Sequence, residues 1–405
     1  MVLEFEDDQC PAIIKVIGLG GAGCNAVDSM MRNGLQHVEF VVANTDKQAL
    51  AHALTPFRIQ MGEEITQGLG TGAKPEIGEL AAQEAKDEIR ESLRGADMIF
   101  IAAGLGGGTG TGSAPVVAEI AKEVGALTVA IVTKPFKFEG KERMKIAEAG
   151  AQRLKNKVDA LMVIPNDHLL QVAGERTSML EAFEIANKVL LQAVSSITDL
   201  INVPGLINVD FADIRTIIGN IGGAVMGIGI GKGDDRAEQA VRKAGASPLL
   251  EKVEIQGARR ILLNVTGGKD ISLAEVTMIA DMIYKSAHPD AEVIFGAVVD
   301  PKMQDEIRVT VIATGFDNTG LLSDSLSTQT SVVSATRPVG TGKYQPTLKV
   351  DLEERKEDVP EFEPDGQMSL LAAARKAEEK VNQPFSYMND WEIPAFLRQP
   401  SGRTL

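Results

Sequence analysis

The sequence predicts an α/β protein: an N-terminal Rossmann-like parallel-sheet domain, a long central helix, a smaller C-terminal α/β domain, then a disordered linker and a short C-terminal peptide. Three observations carry this. Short Val- and Ile-rich runs alternate with amphipathic stretches over the first three hundred residues, and glycine clusters sit where several of those runs end. After Phe316 the periodic apolar content gives way to Ser, Thr, Pro, Gly, Glu and Lys. Strand, turn, helix and strand in that order build a parallel sheet covered on both faces, and ligands of such sheets lie at the carboxyl ends of the strands.

In chain order, residues 13–17, 38–43, 98–103, 128–133 and 161–164 read as buried strands of a first domain over 1–177, with helical segments over 77–93 and 114–124. Ser178 followed three residues later by Glu181 is a capping-box pattern, so a long helix should start there and run to about Asn202, where Pro204 and Gly205 stop it. The span 178–203 is that central helix, and 204–316 the smaller domain. Its strands are expected at 224–230, 261–265, 293–299 and 307–313, its helices at 236–244 and 273–286. Residues 317–384 have the composition of a disordered linker, and 385–405 form a tail peptide.

Bulk properties narrow the class. A net charge of −15 removes the basic field that a nucleic-acid or anionic-membrane surface needs. No apolar run approaches the roughly 20 residues of a membrane span, and the acidic N-terminus is unlike a signal peptide. Cys10 and Cys24 are too few for a disulfide framework, and the four histidines show no metal-ligand spacing. A soluble cytoplasmic protein without direct membrane insertion is expected.

Two glycine-rich loops carry the chemistry. Gly18, Gly20 and Gly23 fit the dinucleotide fingerprint between a strand and a helix. A dinucleotide enzyme also wants an acid at the end of the second strand, and here that strand ends Ala43-Asn44-Thr45, with Asp46 slightly late. The second loop, Gly104-Leu105-Gly106-Gly107-Gly108-Thr109-Gly110-Thr111-Gly112, opens the helix near Ser113. Six glycines in nine positions let backbone N–H groups turn inward beside a helix N-terminus, a cradle for anionic phosphate. Two such cradles favour a nucleoside triphosphate over NAD. A third cluster, Gly68 to Ala73, reads either as a lid on the terminal phosphate or as a surface loop. Neither main loop holds a lysine, so this is not the P-loop pattern, and neither holds a general base. Asn208, Asp210 and Asp213 could orient a water or a metal; equally, Asp213 could simply cap the next helix. Cys24 sits where a helix N-terminus would lower a thiol's pKa.

The loop Gly106–Gly112, with Gly20–Asn25, Asn44-Thr45-Asp46, Asn208–Asp213 and the tail Trp391-Glu392-Ile393-Pro394-Ala395-Phe396-Leu397-Arg398, resembles the tubulin and FtsZ superfamily, and within it the bacterial cell-division FtsZ family. The likeness spans almost all of the chain except the linker. It implies a GTPase that binds GTP or GDP with Mg²⁺ and stacks head to tail into filaments at the mid-cell division ring. By this resemblance Gly21, Ala22, Gly23, Cys24 and Asn25, with Gly107, Gly108, Thr109 and Gly110, hold the phosphates, while Thr71, Gly72 and Ala73 lie near the terminal one. Glu139 and Arg143, beyond the strand end at Thr133, reach the ribose side, and Asn166 belongs to the same rim. Phe183 stacks on guanine and Asn187 reads its edge; four apart, they share a helix face, although Phe183 alone could be an ordinary core residue. Asp210 and Asp213, with Asn208 beside them, complete a neighbour's active site. ZipA- and FtsA-like adaptors grip the tail.

Trp391 is the only tryptophan, and so reports on that tail. Its emission should be red-shifted and easily quenched in the protein alone. An adaptor groove should blue-shift it as Trp391, Ile393, Phe396 and Leu397 are buried together around a backbone shaped by Pro394. A blue-shifted, quencher-resistant Trp391 without any partner contradicts this.

Overall fold

The computed structural model describes residues 12–316, apart from 171–176, 204, 220–221, 248–256 and 302. The linker and tail expectations therefore lie outside the described residues. Strands β1 (Ile14–Leu19), β2 (Glu39–Asn44), β3 (Arg58–Gln60), β4 (Met98–Gly104), β5 (Leu127–Lys134) and β6 (Ala160–Pro165) form the parallel first half of one ten-stranded sheet. The second half comprises β7 (Gly222–Lys232), β8 (Arg260–Gly267), β9 (Glu292–Val299) and β10 (Glu306–Thr314). The strand order is β3-β2-β1-β4-β5-β6-β7-β10-β8-β9.

Every residue of β1 is buried, as a strand covered on both faces requires. Its side chains alternate: Ile14 and Val16 pack on one face with α1 (Gly20–Arg32). Ile17 and Leu19 face the opposite side, towards α4 (Pro75–Glu84), α5 (Lys86–Leu93), α6 (Thr109–Glu123) and α7 (Lys141–Lys155). Between these lie two short helices that follow β2 and β3, α2 (Lys47–His52) and α3 (Glu63–Thr66), while α8 (Asn166–Leu169) follows β6. The long helix α9 (Met179–Asn202) shares the face of α1, as does α10 (Phe211–Ile218). In the second half, α11 (Arg236–Gly245) and α12 (Leu273–Ser286) cover the other face over Ile261, Leu263, Val309 and Val311.

The capping box read from the sequence starts α9: Ser178 Oγ accepts from Glu181 N–H at 3.2 Å, and the Glu181 carboxylate accepts from Ser178 N–H at 2.7 Å. Other expectations are corrected. The 77–93 segment is two helices that part at Ala85, where the backbone relaxes to φ −89°, ψ 13°. The second-loop helix begins at Thr109 rather than near Ser113, because the glycines at 110 and 112 are themselves its first turn. The three-residue edge strand β3 was not expected. The expected smaller α/β half continues the same sheet, with β7 paired in parallel to β6 over residues 160–162 and 222–224.

A buried guanidinium ties the second half together. Arg236, at the start of α11, donates from Nε to Glu275 at 2.6 Å, and its other nitrogens reach the Asp270 carboxylate and carbonyl. Arg236 holds the Glu275 carboxyl down to about 2, from an ordinary 4.5. With the folded value depressed, the pair's contribution is complete above about 4.5 and is lost as pH falls towards 2. Denaturant midpoints of Glu275→Gln should therefore trail the native protein by about 1–2 kcal/mol near pH 6, after solvent screening. That gap should close as pH nears 2; one that persists there removes the pair as its cause.

Candidate nucleotide site

Because β1 and β4 are parallel neighbours in register from Ile14↔Met98 to Leu19↔Ala103, their carboxyl ends deliver both glycine loops to one place. Between them, α9 and the end of β5 lies a cleft of about 490 Å³, within the range of small-molecule sites. Gly21, Ala22, Asn25, Thr71, Gly107, Gly108, Thr109, Gly110, Thr133, Glu139, Arg143, Asn166, Phe183 and Asn187 all line it.

The glycines divide by task. Side chains at Gly21 or Gly107 would meet nothing within 4 Å, so these positions leave space for a ligand. Gly108 has no such room: a Cβ there would overlap Thr71 Oγ1 and lie 2.7 Å from Lys74 N. Gly18 and Gly23 approach one another backbone to backbone, and a Cβ on Gly23 would overlap the Ala102 carbonyl. Gly23 thus lets α1 close on β1 and β4, and it does not line the cleft. Gly72 and Ala73 are also absent from the lining; both are left-handed, with φ 59° and 61°. For Ala73 that region is disfavoured.

At the other end, Phe183 meets Phe136 edge to face, centroids 5.3 Å apart at 85°, and is 39% exposed. It is an open ring rather than a core residue. Asn166 is 4% exposed, and its Oδ1 has no hydrogen-bond partner. Burying an unpaired amide oxygen is unfavourable, and this one belongs to a residue of the cleft wall, where a donor on a ligand could satisfy it. Glu139 accepts from Phe136 N–H at 2.9 Å with one oxygen and from Arg143 at 2.6 Å with the other, which commits both to holding the rim. Sequence reasoning missed Ala186 and Leu190 in the cleft wall, although they follow Phe183 at three and seven, on its helical face.

One open alternative closes and one expectation fails, both on physical grounds. Asp46 is no ribose acid: its carboxylate caps α2, accepting from Gln48 N–H at 2.9 Å and Ala49 N–H at 3.2 Å, which removes the dinucleotide reading. Cys24 is no activated thiol: it is buried in the core beside Asn44, and burial, with Asp28 nearby, pushes it up to about 12.

Asn208, Asp210 and Asp213 do not line the cleft. Asn208 Oδ1 accepts from Gly205 N–H at 2.6 Å, and Leu206 and Ile207 donate backbone N–H groups to Ala297. The loop is thereby strapped to β9 with all three polar side chains exposed. Asp210 precedes α10 without a capping bond from its side chain, and Asp213 stands inside the first turn, so neither serves as the cap.

A phosphate cradle of this form, on a parallel sheet followed by a second α/β half, defines a tubulin-like GTPase. Residues 13–174 match the GTPase domain of the Tubulin/FtsZ family, and residues 222–317 match the C-terminal domain of the FtsZ family. The cell division protein FtsZ of Coxiella burnetii is 48% identical over 392 residues, 96% of each chain. An empty FtsZ dimer from M. jannaschii superposes with TM-score 0.72 at 44% identity, covering 76% of this chain and 89% of that one. GDP-bound CetZ1 from Haloferax volcanii, with TM-score 0.66 at 24% identity over 76% of this chain and 95% of that one, shares the fold. The chain belongs to the FtsZ family; it is a GTPase and binds guanine nucleotide.

Burial reverses the expectation for the thiol. At pH 8 Cys24 should resist alkylation in the native protein whether or not GTP or GDP is present, and should react at the rate of a free thiol only in denaturant. Mass spectrometry of the peptide containing it reads this directly, and rapid native labelling that nucleotide suppresses would return Cys24 to the cleft.

Proposed function

We propose that this chain hydrolyses GTP between stacked copies of itself. Guanine lies against Phe183 with its edge on Asn187, the ribose meets Asn166 and the Glu139–Arg143 rim, and the phosphates rest on the N–H groups of Gly20, Gly21, Ala22 and residues 107–110, with Asn25 beside them. The terminal phosphate sits beside Thr71 and Thr109. Asp210 and Asp213 act on a neighbour's nucleotide, orienting water for in-line attack, where positioning and charge neutralisation do most of the work.

One observation supports this above the rest. Among the described residues the cleft is rich in donors and lined by one carboxylate, Glu139, which is bonded through both oxygens, while Asp210 and Asp213 are exposed elsewhere. Mg²⁺ fits as an ion carried by the phosphates: the cleft offers threonine hydroxyls, and among the described residues no group of three acidic, His or Cys side chains could cage a metal. When bound it neutralises phosphate charge. Head-to-tail stacking of one surface on a different one does not close, and so produces filaments. The M. jannaschii FtsZ dimer supports self-association. Among the described residues no helix is long and apolar enough to cross a membrane; ring localisation is proposed to come through adaptors of the ZipA and FtsA kind at Trp391–Leu397.

The rate per subunit should rise steeply with protein concentration. Asp213→Ala should bind GTP normally and lose about a hundredfold or more in turnover. Mixed with Thr109→Ala, which keeps an intact acidic loop, it should regain activity at mixed contacts. A co-assembled mixture as inactive as its parts rejects the shared site.

A further inference from the structure

Thr45, at the end of β2, is fully buried, and its surroundings leave its side chain little freedom. Its N–H donates to Asn44 Oδ1 at 2.8 Å, and its carbonyl accepts from Gly70 N–H at 3.2 Å and Thr66 Oγ1 at 3.3 Å. As a β-branched residue it is also stiff at χ1. Its hydroxyl lies 2.7 Å from that of Thr109, and Thr109 Oγ1 lies 3.4 Å from Thr71 Oγ1.

Proton accounting sets the direction of this short chain. A hydroxyl has one proton to give, and a buried one left ungiven is unfavourable. Among the described residues the Thr45 hydroxyl has one partner, Thr109 Oγ1, and no solvent reaches it. Thr45 therefore donates to Thr109. The Thr109 proton, relieved of that bond, points out towards Thr71 and the cleft that Thr109 lines. An oriented, outward proton is what an anionic oxygen needs, and hydrogen bonds to charged acceptors are the strong ones.

We infer that Thr45 is a positioning residue that fixes the Thr109 hydroxyl as a donor to the terminal phosphate, and so helps this site to prefer a triphosphate over a diphosphate. The inference rests on the proposed placement of the terminal phosphate beside Thr71 and Thr109. It also gives Thr45 a second duty, because its carbonyl holds Gly70 and Thr66 and so links the 66–73 loop to the same hydroxyl.

The test measures GTP and GDP affinity by equilibrium binding, at concentrations below the rise in turnover, for the native full-length chain and five variants. Thr45→Val keeps shape and removes the proton; Thr45→Ser restores it. With Thr45→Val, GTP affinity should fall about five- to tenfold and GDP affinity less than twofold, with Thr45→Ser near the native value. Equal losses for both nucleotides, or no loss, overturn the inference. Thr45→Ala, which relieves any crowding by the valine methyl, should show the same selective loss and keeps the test valid if the valine variant does not fold. Adding Thr45→Ala to Thr109→Val should cost no further GTP affinity, because the proton then has nothing to orient; additive losses would mean that Thr45 acts independently. Native protein that fails to prefer GTP at all would reject the phosphate placement itself, a different result from native binding with unaffected Thr45 variants.

Discussion

The structure depends on a backbone-to-backbone contact that only glycine permits. A Cβ on Gly78 would overlap the Gly108 carbonyl, and one on Gly112 would overlap the Pro75 carbonyl. Helices α4 and α6 therefore touch main chain to main chain, which seats the 71–74 turn against Gly108 and brings Thr71 within reach of Thr109. The first turn of α6 is left facing the cleft with its unpaired N–H groups and positive dipole end. Parallel pairing of β1 with β4 adds the start of α1 beside it. Widening any of these contacts by a methyl group would separate the loops before it changed any ligand contact.

What the sequence made legible were features that one residue type at one spacing must produce. The strands legible in the first half are short runs rich in Val, Ile and Ala, the start of α9 is a reciprocal side-chain cap, and the glycine loops follow strands. The misses have the opposite character. Nothing in a local window marks Ala85 as a helix break, because neither Gly nor Pro sits there. The three residues of β3 are too few to show a period. The shared sheet rests on three paired residues of β6 and β7, a tertiary fact. Cys24 was misjudged because a helix N-terminus and a buried face act on a thiol in opposite directions, and only packing shows that burial prevails. Of the site, the phosphate loops could be read from composition, whereas Phe183 and Asn187 needed the family resemblance to lift them above core and surface readings.

Helix α9 turns these separate pieces into one object. Its 24 residues span about 36 Å. Phe183 and Asn187 occupy one end, at the cleft, while Leu200, near the other, packs against β9, where a Cβ on Gly296 would overlap its side chain. Gly296 also lies 3.3 Å, as an imagined Cβ, from Val209 in the acidic loop. One helix thus reaches from the cleft to the strand against which the loop carrying Asn208 and Asp210 is packed. Between the ends, Ser196 and Thr310 share a hydrogen bond at 3.2 Å, and Asn264 donates to the Ser196 carbonyl at 3.2 Å, so the helix is fastened to the second half of the sheet by polar contacts as well as by packing.

That arrangement also explains why dividing an active site between chains is a physically sound solution. A free carboxylate in the cleft would repel an incoming triphosphate by several kcal/mol at contact distance, even with the screening typical of a protein surface. It would then need a cation or a proton of its own to remain there. A cleft whose one acid among the described residues, Glu139, is locked to Arg143 avoids both problems. The acids Asp210 and Asp213 instead stand exposed on a loop outside the cleft. On the proposed reading they meet phosphate only after Mg²⁺ and the loops have spread its charge, and only when a second subunit arrives. On that reading binding and hydrolysis are separated by an assembly step, because the acids that would orient water are absent from the cleft of the subunit that holds the nucleotide.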